Sequence, residues 1–78
     1  MKIEEKIIAI IQSNTEAKEG ITLRSNLRQD LRLDSFGILM VINALEDTFA
    51  IALAEADFAR VNTVGDVVSL LRGKYACA

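Results

Sequence analysis

Two adjacent residues, Asp34 and Ser35, stand immediately before the strongest run of helical periodicity in the chain. Both types are favoured at helix starts, where a side-chain oxygen accepts from a backbone N–H and contributes about 1 kcal/mol. That role alone would explain them. A serine hydroxyl at such a start can also carry a phosphodiester, because unpaired amides and the positive end of the helix dipole favour negative charge there. Little else in the chain offers chemistry. Histidine is absent, which removes the commonest metal ligand and near-neutral general base. Cys77 is the single cysteine, so neither an intrachain disulfide nor a cysteine-cluster metal site is expected; no metal is expected at all. The thiol reads as part of a frayed tail in a reducing, cytoplasmic setting.

The elements that must position Ser35 follow from apolar spacing. Ile3, Ile7, Ile8, Ile10 and Ile11 place a first helix from Lys2 to Ser13. From Asn14 to Leu33 the chain is polar and turn-rich, a connection of about twenty residues, with Ile21, Leu23, Leu27 and Leu31 pinning it to the core. Ser35 to Phe49 forms the second helix, with Ile38, Val41, Ile42, Leu45 and Phe49 facing inward. Phe36, Met40, Asn43 and Asp47 face outward, flanked by Leu39 and Glu46, an unusually apolar face for a solvated helix. Glu55 to Arg60 makes a short helix with Phe58 inward. Thr63, with Asp66 three residues on, opens the last helix as a weaker relative of the capping box. Its stripe is Val64, Val67, Val68, Leu71 and Tyr75, and Gly73 offers a stop. The expected fold is all-α: a small bundle of three main helices plus one short helix, with a long first loop, in a single domain over residues 1–78.

With 78 residues there is room for one small core and no separate catalytic domain. Eleven acids against nine bases give a net charge of −2, too balanced to make nucleic acid the main partner. No apolar run reads as a signal peptide or a membrane span.

Around Ser35 the chain resembles the acyl and peptidyl carrier proteins, from about Leu27 to Leu71. Leu27, Asp30-Leu31 and Leu33-Asp34-Ser35 are similar to the family's approach to its Asp-Ser-Leu attachment motif. Ala44-Leu45-Glu46-Asp47, Phe49, Ile51, Leu53 and Val61-Asn62-Thr63-Val64 are similar to its later landmarks. The resemblance implies a phosphopantetheine arm on Ser35, placed by a phosphopantetheinyl transferase that recognises Asp34. Acyl groups would ride on the arm as thioesters, served by acyl-loading and acyl-processing enzymes, and the chain itself would not be an enzyme. A monomer is expected. Phe36, Leu39, Met40, Asn43, Glu46 and Asp47 would form the docking face. Ile42, Leu45, Ile51, Phe58 and Val68 are core residues that the resemblance also offers as the lining of an acyl channel.

Three departures stand out. Phe36 replaces the family's leucine, Gly37 and Met40 stand where acids are common, and Arg32 takes a place that is often glycine. A less acidic face suggests a specialised fatty-acid, polyketide or related pathway rather than housekeeping synthesis. Two alternatives stay open: an unmodified scaffold with the carrier fold, and a helical DNA-binding module using Arg24, Arg28 and Arg32, whose spacing of four would align them on a helix.

Overall fold

The structure, a computed structural model, describes residues 2–16 and 20–77. Four helices follow one another: α1 (Ile3–Asn14), α2 (Ser35–Phe49), α3 (Glu55–Phe58) and α4 (Val64–Gly73). In α1 the buried residues are Ile3, Ile7 and Ile11, one per turn, while Ile8 and Ile10 are only partly covered. Glu4 and Glu5 complement the helix dipole in the first turn. Helix α1 packs against both α2 and α4, and Arg72 of α4 pairs with Glu4 at 2.9 Å.

Helix α2 has the inner face expected of it, with Ile38, Val41, Ile42 and Leu45 buried and Phe49 half-buried under Lys6, whose ammonium lies 5.9 Å from the ring centre. It ends where Ala50 turns left-handed at φ 55°, which lets the amides of Ala50 and Ile51 both return to the Glu46 carbonyl. Helix α3 stops at Phe58 rather than Arg60, because the next amides close turns onto Glu55 and Asp57. Phe58 itself points inward and is 1 % exposed.

The long connection is ordered by hydrogen bonds where it is described; residues 17–19 of it lie outside the described residues. Its second half is clipped to the start of α4: Leu27 N–H donates to the Asn62 carbonyl (2.8 Å), Val64 N–H to Ser25 (3.0 Å) and Gly65 N–H to Leu23 (2.8 Å). Asn26 and Thr63 form an isolated bridge. A side chain at Gly65 would press a Cβ to 3.0 Å from the Leu23 carbonyl, so glycine is what permits this approach. Leu27 and Leu31 are buried as expected and Ile21 partly so, but Leu23 is exposed: this segment is held by backbone bonds, not by that side chain. Nor is the C-terminal tail frayed at residue 77, since the Cys77 amide donates to the Leu71 carbonyl at 2.8 Å and its side chain packs against the core.

Candidate functional site

Leu33 is buried and its amide donates to the Leu27 carbonyl at 3.0 Å, which ties the end of the connection to the core just before α2 begins. Asp34 is the N-cap, in extended conformation, and its Oδ1 accepts from Gly37 N–H at 2.8 Å. The Ile38 amide already reaches the Asp34 carbonyl. That is the first bond of the helix ladder, so the four amides a helix start leaves open are those of Asp34, Ser35, Phe36 and Gly37; Gly37 is satisfied by the cap, and the amides of Asp34, Ser35 and Phe36 remain for an outside acceptor. Ser35 is the first residue of the helix and is exposed. Gly37 is half-buried rather than fully outward: a Cβ there would sit 3.0 Å from Leu33 Cδ2, so the bare backbone lets Leu33 tuck beneath the first turn.

Beside Ser35 opens a groove of about 550 Å³. Its floor is the buried set Leu33, Ile38, Ile42 and Phe58, and its exposed lining comprises Arg28 and Asp34 from the connection, Ser35 and Leu39 from α2, and Glu55 and Ala59 from α3 and the turn after it. The hydroxyl thus sits at the edge of an apolar trough running between α2 and α3. Of the five channel candidates, Ile42 and Phe58 line it, whereas Leu45, Ile51 and Val68 lie outside its lining; Leu45 and Val68 belong to the core and Ile51 packs on its margin. Leu33, Ile38, Leu39, Arg28, Glu55 and Ala59 line the groove without being among the channel candidates. Ile38 was legible as an inward neighbour of Ile42 one turn closer to Ser35, but the others reach the groove through contacts between distant segments.

The outward face of α2 is as apolar as its sequence suggests. Phe36 is 70 % exposed, Leu39 44 % and Met40 39 %, with Asn43 and Asp47 exposed beyond them. Glu46 is different: it is half-buried and its Oε2 accepts from the Leu53 amide at 2.9 Å, so it closes the α2–α3 connection and leaves Asp47 as the free acid of this face. The three arginines are not aligned, because residues 21–34 are not helical. Arg28 stands at the Ser35 groove, while Arg32 lines a separate hollow on the far side of Asp34. Arg32 adopts φ 56°, a left-handed conformation that glycine takes without cost.

Helix α3, the other wall of the groove, has a single buried residue and is held from outside. Lys74 approaches Asp57 at 2.7 Å, and Tyr75 donates its hydroxyl to the same carboxylate at 2.8 Å while accepting from the Ala54 amide at 3.0 Å. The Lys74 bond first, and then the Tyr75 hydroxyl, hold the Asp57 carboxyl below the ordinary carboxylate range. Among the described residues no cluster of His, Cys, Asp and Glu could hold a metal ion. No helix there is long and apolar enough to cross a membrane.

Comparison with known proteins agrees with this geometry. A family model described as the phosphopantetheine attachment site matches residues 5–71. An acyl carrier protein of Lactobacillus acidophilus is 35 % identical over 72 residues, covering 91 % of this chain and 90 % of that protein. The solved structure of a Mycobacterium tuberculosis protein assigned as an acyl carrier protein superposes with a TM-score of 0.81 at 40 % identity, covering 87 % of this chain and 92 % of the other.

Proposed function

The chain belongs to the acyl carrier protein family, a carrier with a phosphopantetheine attachment domain and not an enzyme, and from that premise we propose that Ser35 is the residue that bears the arm. The observation that carries this reading is an exposed hydroxyl at the first position of α2, at the rim of an apolar groove of about 550 Å³. The residues fit the group: the hydroxyl supplies the ester oxygen, the open amides of Ser35 and Phe36 favour its negative charge, and the groove lies alongside. When bound, phosphopantetheine supplies a terminal thiol that holds acyl groups as thioesters.

Attachment would join Ser35 Oγ to the phosphorus that bears pantetheine as that phosphorus parts from the bridging oxygen of coenzyme A's pyrophosphate; the nucleotide would leave with that oxygen, and the hydroxyl proton would pass to a base of the transferase. Asp34 fixes the first turn through the Gly37 amide, so the hydroxyl is presented from a rigid helix end, and the second oxygen of the carboxylate is left for recognition by the transferase. Leu33, Ile38, Ile42 and Phe58 shelter part of an acyl chain, at about 0.8 kcal/mol for each methylene fully removed from water. Phe36, Leu39 and Met40, with Asn43 and Asp47, form the face on which enzymes dock. Its apolar character favours partners in a specialised fatty-acid, polyketide or related pathway, with the carrier working as a cytoplasmic monomer. Incubation with coenzyme A and a broad-specificity transferase should add one arm to the wild type and none to Ser35→Ala, read as intact mass. An unmodified wild type would instead support a scaffold that keeps the fold and carries nothing.

A further inference from the structure

The groove beside Ser35 has one cation on its rim, Arg28, and attachment as described leaves it without a task. Its backbone is firmly placed. The Arg28 amide donates to Asn26 Oδ1 at 2.9 Å, the amides of Asp30 and Leu31 both return to the Asn26 carbonyl at 3.0 Å, and the preceding Leu27 is fully buried. Its side chain has no carboxylate to pair with among the described residues. Asp30 accepts from the Asn26 amide at 2.7 Å and Asp34 from Gly37, while the ion pairs formed are Arg72–Glu4 and Lys74–Asp57. Glu55, the groove's other rim charge besides Asp34, stands at the start of α3 and is not within pairing distance of it. The first turn of α2, which contributes Ser35 to the same groove, holds no acidic residue.

Resting on the assignment of Ser35, we propose that Arg28 is a positioning residue that binds the phosphodiester of the arm and so holds the arm's first segment against the α2–α3 groove. The phosphodiester is esterified to Ser35, which lines the same groove as Arg28, so it stays at that groove whatever the cargo. A carboxylate at the far end of an acyl group is joined to that groove only through the whole arm, so where it lies varies with the length of the cargo. The planar guanidinium offers paired donors to two phosphate oxygens, and it offsets the nearby Asp34 carboxylate that would otherwise repel them. Because the pair lies at the surface, salt weakens it.

The test uses wild type, Arg28→Gln and Arg28→Lys, each without the arm, with the unacylated arm, and with arms bearing a butyryl or a carboxylate-ended acyl group. Phosphorus NMR reads the phosphodiester, and thermal unfolding reads what attachment does to stability. In wild type the arm should raise Tm by about 2–4 °C, and the gain should vanish in Arg28→Gln. The phosphorus signal should differ between these two proteins at low salt and converge near 1 M. Arg28→Lys should recover part of both effects. Full modification with the same signal and the same gain in Tm in wild type and Arg28→Gln overturns this proposal alone. Failure of wild type to accept the arm at Ser35 overturns the attachment assignment and this proposal with it. A difference confined to arms bearing a carboxylate-ended acyl group, absent with the bare or butyryl arm, shows that Arg28 reads cargo and also overturns the phosphodiester role.

Discussion

Helices α2 and α4 begin with the same kind of cap and finish the job differently. At α4, Thr63 Oγ1 accepts from the Asp66 amide at 3.1 Å, and Asp66 Oδ2 accepts in return from the amides of Asn62 and Thr63, each at 3.0 Å. This is a complete capping box rather than a weak relative of one. The connection from α1 is clipped over it, and the amides of Asn62 and then Thr63 hold the Asp66 carboxyl below its ordinary range. At α2 the equivalent third position is Gly37, so Asp34 caps alone, no carboxylate reaches back, and Ser35 stays exposed with open amides around it. One helix start holds the fold together, and the other leaves its first-turn amides open.

The largest effect should come from what both starts share, the core beneath them. Leu45→Asp or Val68→Asp places an unpaired carboxylate where the side chain is 0 % or 5 % exposed, at a cost of several kcal/mol, comparable to the whole stability of a small domain. Both should fail to show a cooperative thermal transition, whereas exposed Asn43→Asp should melt close to wild type. Next in size is the α4 cap: Thr63→Ala with Asp66→Ala should lose about 1–2 kcal/mol in urea unfolding, against less than about 0.5 kcal/mol for Ser35→Ala. Equal losses would erase the contrast between the two starts.

The pH dependence sharpens the same contrast. Because Asp66 has a depressed folded pKa, its contribution is present above the unfolded value near 4 and is lost as pH falls through the folded value. Asp57 acts in the same direction through Lys74 and Tyr75. Stability measured below about pH 4 should fall less steeply in Asp66→Asn than in wild type, from a lower starting value at neutral pH. The smallest effect concerns docking. Gly37→Asp with Met40→Glu makes the start of α2 acidic, as α4 already is, and should raise kcat/KM with a fatty-acid-type ketosynthase roughly threefold at low salt. Gly37→Asn with Met40→Gln crowds Leu33 to the same degree without charge and should show no gain.

What the sequence made legible is what local periodicity and capping control. The inner face of α2, the inward Phe58, the Thr63–Asp66 pair and the placement of Ser35 at a helix start all follow from residue types within a few positions of each other. What it hid depends on segments far apart in the chain. Nothing near Tyr75 announces that its hydroxyl bridges Asp57 and the Ala54 amide. Glu46 is outward on a helical wheel, yet the turn at Ala50 folds Leu53 back onto its carboxylate. The groove is only partly legible for the same reason. Its depth depends on how α3 and the connection lean on α2, so Leu33 and Arg28 enter it while Leu45 and Val68 stay in the core.

The most direct measurement locates the arm. Trypsin cuts after Arg32 and Arg60, which releases Leu33–Arg60, a peptide whose only serine is Ser35; Ser13, Ser25 and Ser69 fall in other peptides. After incubation with coenzyme A and a transferase, mass spectrometry should place the phosphopantetheine group on Leu33–Arg60 and nowhere else, and fragmentation should assign it to Ser35. An arm on a peptide holding Ser25 or Ser69, or no arm at all, would contradict the assignment of the start of α2 as the attachment site.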